Sequence, residues 1–408
     1  MRHIRADYIL PRLLVFLGMI FLCSCSPSTP TTPAITHDVS VVGSLIQDRM
    51  FHTATLLPSG KVLVAGGESF EYSGLTQMAP VAEVFDPGTG KATAAGTMVH
   101  PRIWHTATLL PDGRVAIIGG SDNSVYPNTE FLDVEIWDPV TQTFQVAGQI
   151  LKARVGHLAF LRPDGKILIV GGWGVSDFDS VMDAYTEVFD PATGVTTQGF
   201  TLTEVRQWPG AAVLPSGDLV LVNGYNPIGG INFRNYVEVY PQALSPQGAT
   251  TCTRYSLPDE GSRDTGVTLD QQGRVIIAGG YNSGYGVEGG ALDFLQTFDP
   301  KTGTTVAVGK MIIGRDRFAC VTLNDGLIAF IGGDTNSPDA ASMVSDSIEV
   351  RETVNFTSHL LATKMVHPRS GLTATRMPDG SYLLIGGRYW TIINNDTFKT
   401  VSEVERLR

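Results

Sequence analysis

Residues 49–67 read RMFHTATLLPSGKVLVAGG, and residues 102–120 read RIWHTATLLPDGRVAIIGG. A third copy, RVGHLAFLRPDGKILIVGG, fills 154–172, and weaker copies open at Arg206, Arg263, Arg315 and Arg369. The seven arginines are spaced 53, 52, 52, 57, 52 and 54 residues apart. A period near ~50 that carries strand-type patterning implies a propeller rather than a helical solenoid. Inside each copy a turn glycine (Gly60, Gly113, Gly165, Gly217, Gly273, Gly326, Gly380) precedes a glycine pair by six residues. The fourth copy has Asn223-Gly224 instead of the pair. That gap holds one short strand, and its filling, as in KVLVA or RVAII, suits a strand buried on both faces. LPSG and LPDG are turns in which proline presets φ and glycine accepts positive φ, so the first two strands form a hairpin.

A third strand follows a loop of 13 to 15 residues: EVFDP from Glu83, EIWDP from Glu135, EVFDP from Glu187, EVYP from Glu238 and TFDP from Thr297. Weaker forms are IEV from Ile348 and SEVERL from Ser402. DPxTG turns lead into a fourth strand, and four strands per unit make one propeller blade. The last copy ends after its third strand, while HDVSVVGSL (37–45) precedes the first copy as an orphan. The expected fold is therefore all-β: a seven-bladed propeller over 37–408, its last blade closed by the N-terminal strand, which removes a sheet edge.

Residues 1–24 read as a lipoprotein signal. Arg2, Arg5 and Arg12 precede the apolar run Leu13–Leu22, which is too short to span a bilayer. Leu22, Ser24 and Cys25 then resemble a bacterial lipoprotein box with Cys25 as the lipidated residue. Residues 25–36 form a Pro/Thr/Ser tether. This places the propeller in the bacterial cell envelope, outside the cytoplasm, touching the membrane through a lipid anchor only. The net charge is −11, which opposes nucleic acid and anionic membrane surfaces as partners. A monomer is expected. Cys252 and Cys320 are the only other cysteines and read as small buried apolar groups.

The glycine pair after an apolar strand, the EVFDPxTG segment and the Arg-x-x-His start resemble the kelch family, in detail its bacterial and galactose-oxidase-type repeats. The fourth strand lacks the tryptophan that many kelch proteins place there. It carries Ala, Thr, Val or Phe144 instead, which weakens any analogy to actin-binding or ubiquitin-adaptor kelch proteins. The resemblance implies, as an alternative to a binding module, a carbohydrate-active enzyme: a galactose-oxidase-like copper-radical oxidase or a sugar mutarotase. The oxidase needs a Tyr–Cys crosslink and a Tyr-His pair; no YH dipeptide occurs, and neither Cys252 nor Cys320 has an evident tyrosine partner.

Residues used once per blade read as packing parts. The seven arginines and Glu83, Glu135, Glu187, Glu238 and Glu403 are expected to make ion pairs or backbone hydrogen bonds between neighbouring blades. His52, His105 and His157 are possible metal ligands by type, but one per blade holds them apart, so neither a metal nor another cofactor is expected. Function belongs on the long loops between second and third strands and on the blade-to-blade connections. Those loops hold 14 acidic residues, three basic ones and 16 of the 35 aromatics, which suits a glycan or a protein ligand. The candidate ligand-binding residues are Phe51, Trp104, Trp208, Trp173, Tyr225, Tyr281 and Trp390, with Arg317 beside them. Glu68, Asp122, Asp334 and Arg388, each just after a glycine pair, are the candidates for polar or acid–base work.

Overall fold

The computed structural model describes residues 37–408 except 71–75, 123–128, 175–183, 227–231, 260, 283–289, 337–342 and 392–396. The signal, Cys25 and the tether lie outside the described residues, as does the side chain of Trp390. Residues 37–408 form one compact unit.

Among the described residues the strands assemble into seven four-stranded antiparallel units. Blade one runs outward as Thr53–Leu56, Val62–Ala65, Val81–Asp86 and Lys91–Thr97. Its register sets Leu63 opposite both Thr55 and Val84. The second strand of every blade is buried along its whole length, which accounts for its unbroken apolar text. Seven apolar clusters fill the seven blade-to-blade boundaries. One of them holds Trp137, whose Nε1 donates to Ala95 O of the preceding blade at 2.8 Å.

The N-terminal strand Val39–Ser44 pairs antiparallel with Glu403–Leu407 and forms the outermost strand of blade seven. Ser44 also bridges Lys91, joining blades seven and one into an eight-stranded sheet. His37 adds a clasp, with Nδ1 2.9 Å from Arg408 O and Nε2 2.9 Å from Asp325 Oδ2. A second ring lies nearer the axis. The second glycine N–H of each blade donates to a backbone carbonyl of the next: Gly67 to Arg102, Gly120 to Arg154, Gly172 to Arg206, Gly224 to Ser262, Gly280 to Arg315, Gly333 to Arg369 and Gly387 to Arg49, all at 2.7–2.9 Å. Seven steps return to the start, so the disc is closed.

That ring corrects the register of the fifth repeat. Its fixed position is Ser262, not Arg263. In the other six blades an arginine guanidinium there bonds the carbonyl of the residue 17 positions on, and in blade five Ser262 Oγ reaches Gly279 O at 3.2 Å. The acidic partner changes in step. Arg49, Arg102, Arg154, Arg206 and Arg369 pair with Glu83, Glu135, Glu187, Glu238 and Glu405, whereas blade five has Gln296 opposite Ile277. A lone buried charge is strongly destabilising, so both members are neutral together. In blade six Arg315 bonds Ser347 Oγ at 2.7 Å while Glu349 accepts from Ile312 N.

Two further expectations are corrected. Glu405, not Glu403, is the seventh-blade partner, because Glu405 pairs with Leu384 as Glu83 does with Val64. The ion pairs also lie within one blade. What they join is the incoming connection, since Glu135 accepts from Val99 N and His100 N ahead of its own blade. Histidines link three pairs of neighbouring inner strands, and Thr268 and Thr322 link the inner strands of blades five and six through their hydroxyls, 3.0 Å apart. Nε2 of His105, His157 and His52 lies 2.9–3.1 Å from the hydroxyl of Thr53, Thr106 and Thr373 on the neighbouring blade. Burial pushes all three pKa values down to about 3.

Candidate functional site

The segment that carries each register residue into the innermost strand makes one unusual turn. Two residues after the register position the backbone is left-handed in every blade: Phe51, Trp104, Gly156, Trp208, Asp264, Arg317 and Gly371, with φ between 44° and 66°. Five of the seven have side chains, and a non-glycine residue there is strained by roughly 1–2 kcal/mol. The turn lets these residues hydrogen-bond to one another around the axis. Gly156 N donates to Trp104 O, Trp208 N to Gly156 O, Asp264 N to Trp208 O and Gly371 N to Arg317 O, at 3.0–3.4 Å. The circlet also directs the side chains to the channel mouth. Glycine at 156 is required by its neighbour, because a Cβ there would sit 2.4 Å from Trp208 Nε1.

The result is a cavity of about 490 Å³ with two unlike halves. Phe51, Trp104, Trp173 and Trp208 line one side, with the rings of Phe51 and Trp104 5.6 Å apart. Arg263, Asp264 and Arg317 line the other. Behind them Arg317 Nη1 and Arg388 Nη2 lie 3.0 and 3.5 Å from Asp334 Oδ2. Asp316, 4 % exposed, has its carboxyl pushed up to about 7, by burial first and by the charge of Asp334 next. Burial raises Asp264 as well. A ring-faced wall opposite guanidinium donors and carboxyl groups can stack one face of a ligand and hydrogen-bond its edge.

Of the residues expected from sequence, Phe51, Trp104, Trp173, Trp208 and Arg317 come together here. Asp334 and Arg388 join them through Arg317, and Tyr281 through Arg263, which lies 4.9 Å over its ring. Three others are not drawn into this group. Glu68 is buried at 2 % exposure and bridges Met50 by its backbone; Asp122 accepts from Thr129 N within its own loop; Tyr225 packs on Phe233, ring centroids 5.4 Å apart. Four long loops are themselves hairpins, as where Arg388–Thr391 pairs with Thr397–Thr400. Sequence reasoning missed Arg263, Asp264 and Asp316. Alignment on the arginines places Arg263 in blade packing; counting 17 residues back from Gly279 releases it. Cys252 and Cys320 are both free thiols. Contrary to expectation Cys252 has a tyrosine neighbour, Tyr240, in the apolar cluster between blades three and four, and neither cysteine lines this cavity.

No family model matches the chain. Part of it is 32 % identical to galactose oxidase of Gibberella zeae over 119 residues, 28 % of this chain and 18 % of that protein. Another match, 29 % identical over 185 residues, is to an F-box/kelch-repeat protein of Arabidopsis thaliana; it covers 41 % of this chain and 38 % of the relative. The chain thus spans well under half of either relative. Among solved structures, a fungal alcohol oxidase of the AA5 family in complex with copper superposes with a TM-score of 0.63, at 16 % identity, over 90 % of this chain and 75 % of that one. A structure titled YjhT gives 0.58, at 16 % identity, over 79 % of this chain and 99 % of that one. At such identity these two likenesses bear on the fold. His52, His105 and His157 are spent on threonines between blades and so do not fit a copper site; among the described residues no group of three His, Cys, Asp or Glu is placed to hold a metal.

Proposed function

We propose that this kelch/galactose-oxidase-like propeller is a binding module that takes a carbohydrate at the mouth of its channel. The observation that carries the reading is the left-handed circlet, which aims Phe51, Trp104 and Trp208 at one half of the cavity and Asp264 and Arg317 at the other. A sugar ring presents C–H faces that stack on aromatic rings and hydroxyls that pair with charged groups. The sequence before the disc supports an envelope location, with a lipid anchor at Cys25 followed by a Pro/Thr/Ser tether. A glycan array probed with the folded chain, followed by titration read through tryptophan fluorescence, tests this. Trp104→Ala and Trp208→Ala should each weaken the hit by roughly tenfold, the effect of losing about 1.4 kcal/mol of ring contact, with melting nearly unchanged. Unaltered affinity in both variants sinks the mouth as the site. An array with no hit moves the reading to a protein ligand, and turnover of a bound sugar moves it to an enzyme.

A further inference from the structure

We propose that the carbohydrate bound at this mouth is an acidic one, a hexuronic acid or an oligosaccharide bearing one, and that Arg263 receives its carboxylate. The inference rests on the glycan reading above and narrows it.

Arg263 differs from the arginines around it. Arg317 and Arg388 are held by Asp334, and the six register arginines are bonded inside their blades. Arg263 lies over two rings, 5.1 Å from the Trp208 centroid and 4.9 Å from that of Tyr281. Among the described residues its guanidinium donates no hydrogen bond, and the nearest carboxylate oxygen, Asp264 Oδ2, is 3.9 Å from Nε. Its side chain keeps 24 % of its surface exposed and lines the cavity. Stacking fixes the plane of a guanidinium and leaves its N–H edge as the open hydrogen-bonding side, the geometry that takes a carboxylate with two parallel bonds. The residue is at the mouth because the fifth blade is neutral at its register pair. Ser262 and Gln296 fill the inner positions, and the arginine stands one place further on.

The surrounding charges select the size of the anion. Arg263, Arg317 and Arg388 face Asp264, Asp316 and Asp334, and the whole chain carries −11. So balanced a cluster favours a single negative charge over a doubly charged phosphate. Trp104 and Trp208 supply the surface against which the rest of the sugar lies. Asp316 is faced by Asp334, Arg317, Asp264 and Arg263, and Asp264 by Arg263, Arg317 and Asp334. Both carboxyl groups are shifted upward, Asp316 to about 7, so acidification removes negative charge beside the incoming carboxylate.

The test is calorimetric titration of the folded chain with a galacturonic acid dimer and with the neutral galactose dimer, at about pH 6 and about pH 8. The acid should bind at least tenfold more tightly than the neutral dimer at the lower pH, with the ratio falling severalfold at the higher. Arg263→Gln should bring the ratio near one, and Arg263→Lys, which keeps charge without the planar fork, should leave it between. Equal affinities in the unaltered protein, or a preference that survives Arg263→Gln, overturn this inference while the glycan reading stands. Binding of neither dimer, together with a blank glycan array, overturns both.

Discussion

Replacing His105 by leucine should destabilise the protein at neutral pH and stabilise it in mild acid. His105 is buried at 6 % exposure, with Nε2 3.0 Å from Thr53 Oγ1 across the blade boundary. Burial pushes its pKa down to about 3, and the charge of Arg102 adds to the effect. In the unfolded chain the same side chain titrates near ~6.5. The folded state therefore takes up the proton less readily. The stability this histidine contributes is complete above about pH 6.5 and is lost as the pH falls toward about 3. At about pH 5 the loss is about 2 kcal/mol for the one residue, at about 1.4 kcal/mol per pH unit. Leucine carries no such linkage, and it forfeits one hydrogen bond, about 1 kcal/mol. The fold already holds a leucine at this position in blade seven, Leu372, 9 % exposed. The unaltered protein should thus be ahead by about 1 kcal/mol at about pH 7, behind by about the same at about pH 5, and level near pH 6. Urea unfolding at constant temperature, followed by tryptophan fluorescence across this range, reads the crossing. A deficit of constant size at every pH would refute the reasoning, because it would mean that water reaches the imidazole in the folded disc.

Arg102→Ser should cost about 3–5 kcal/mol, since it leaves Glu135 at 0 % exposure without its cation. Adding Glu135→Gln copies the Ser262 and Gln296 pair of blade five and should recover about 1–3 kcal/mol; strictly additive costs in urea unfolding would argue against the pairing. Asp316 has the opposite pH sense to His105. Its carboxyl, raised to about 7 mainly by burial, contributes stability that is full below about pH 4 and is lost as the pH rises through about 7. Asp316→Asn should therefore gain in melting temperature on the unaltered protein between about pH 5 and about pH 8, and a gap that stays constant over that range would count against a buried carboxyl.

The fold was legible because the sequence period is the blade itself: one apolar strand seven times, between a turn glycine and a glycine pair in six copies and Asn223-Gly224 in the fourth. The errors came where the pattern admits two registers. Glu403 and Glu405 stand two apart on one strand and share a face, so alternation cannot choose between them; only the pairing with Leu384 does. Arg263 sits one place from the register position, and aligning the repeats on their arginines hid the slip. Anchoring them on the second glycine of each copy exposes it, because a backbone hydrogen bond to the next blade fixes that glycine.

The mouth was half legible, for a different reason. Left-handed backbone is announced in sequence by glycine, and only Gly156 and Gly371 announce it here. At the other five positions the same turn is made by Asp, which adopts it more readily than most, and by Phe, Trp, Trp and Arg, which seldom do. This bears on function. Glycine would make the same turn at all seven positions with less strain, and at two it does. The five side chains retained against that strain all line the cavity, Phe51, Trp104 and Trp208 as rings and Asp264 and Arg317 as charges. Among the described residues, five of the nine non-glycine positions with left-handed backbone face this one cavity, a concentration better accounted for by a ligand than by the fold.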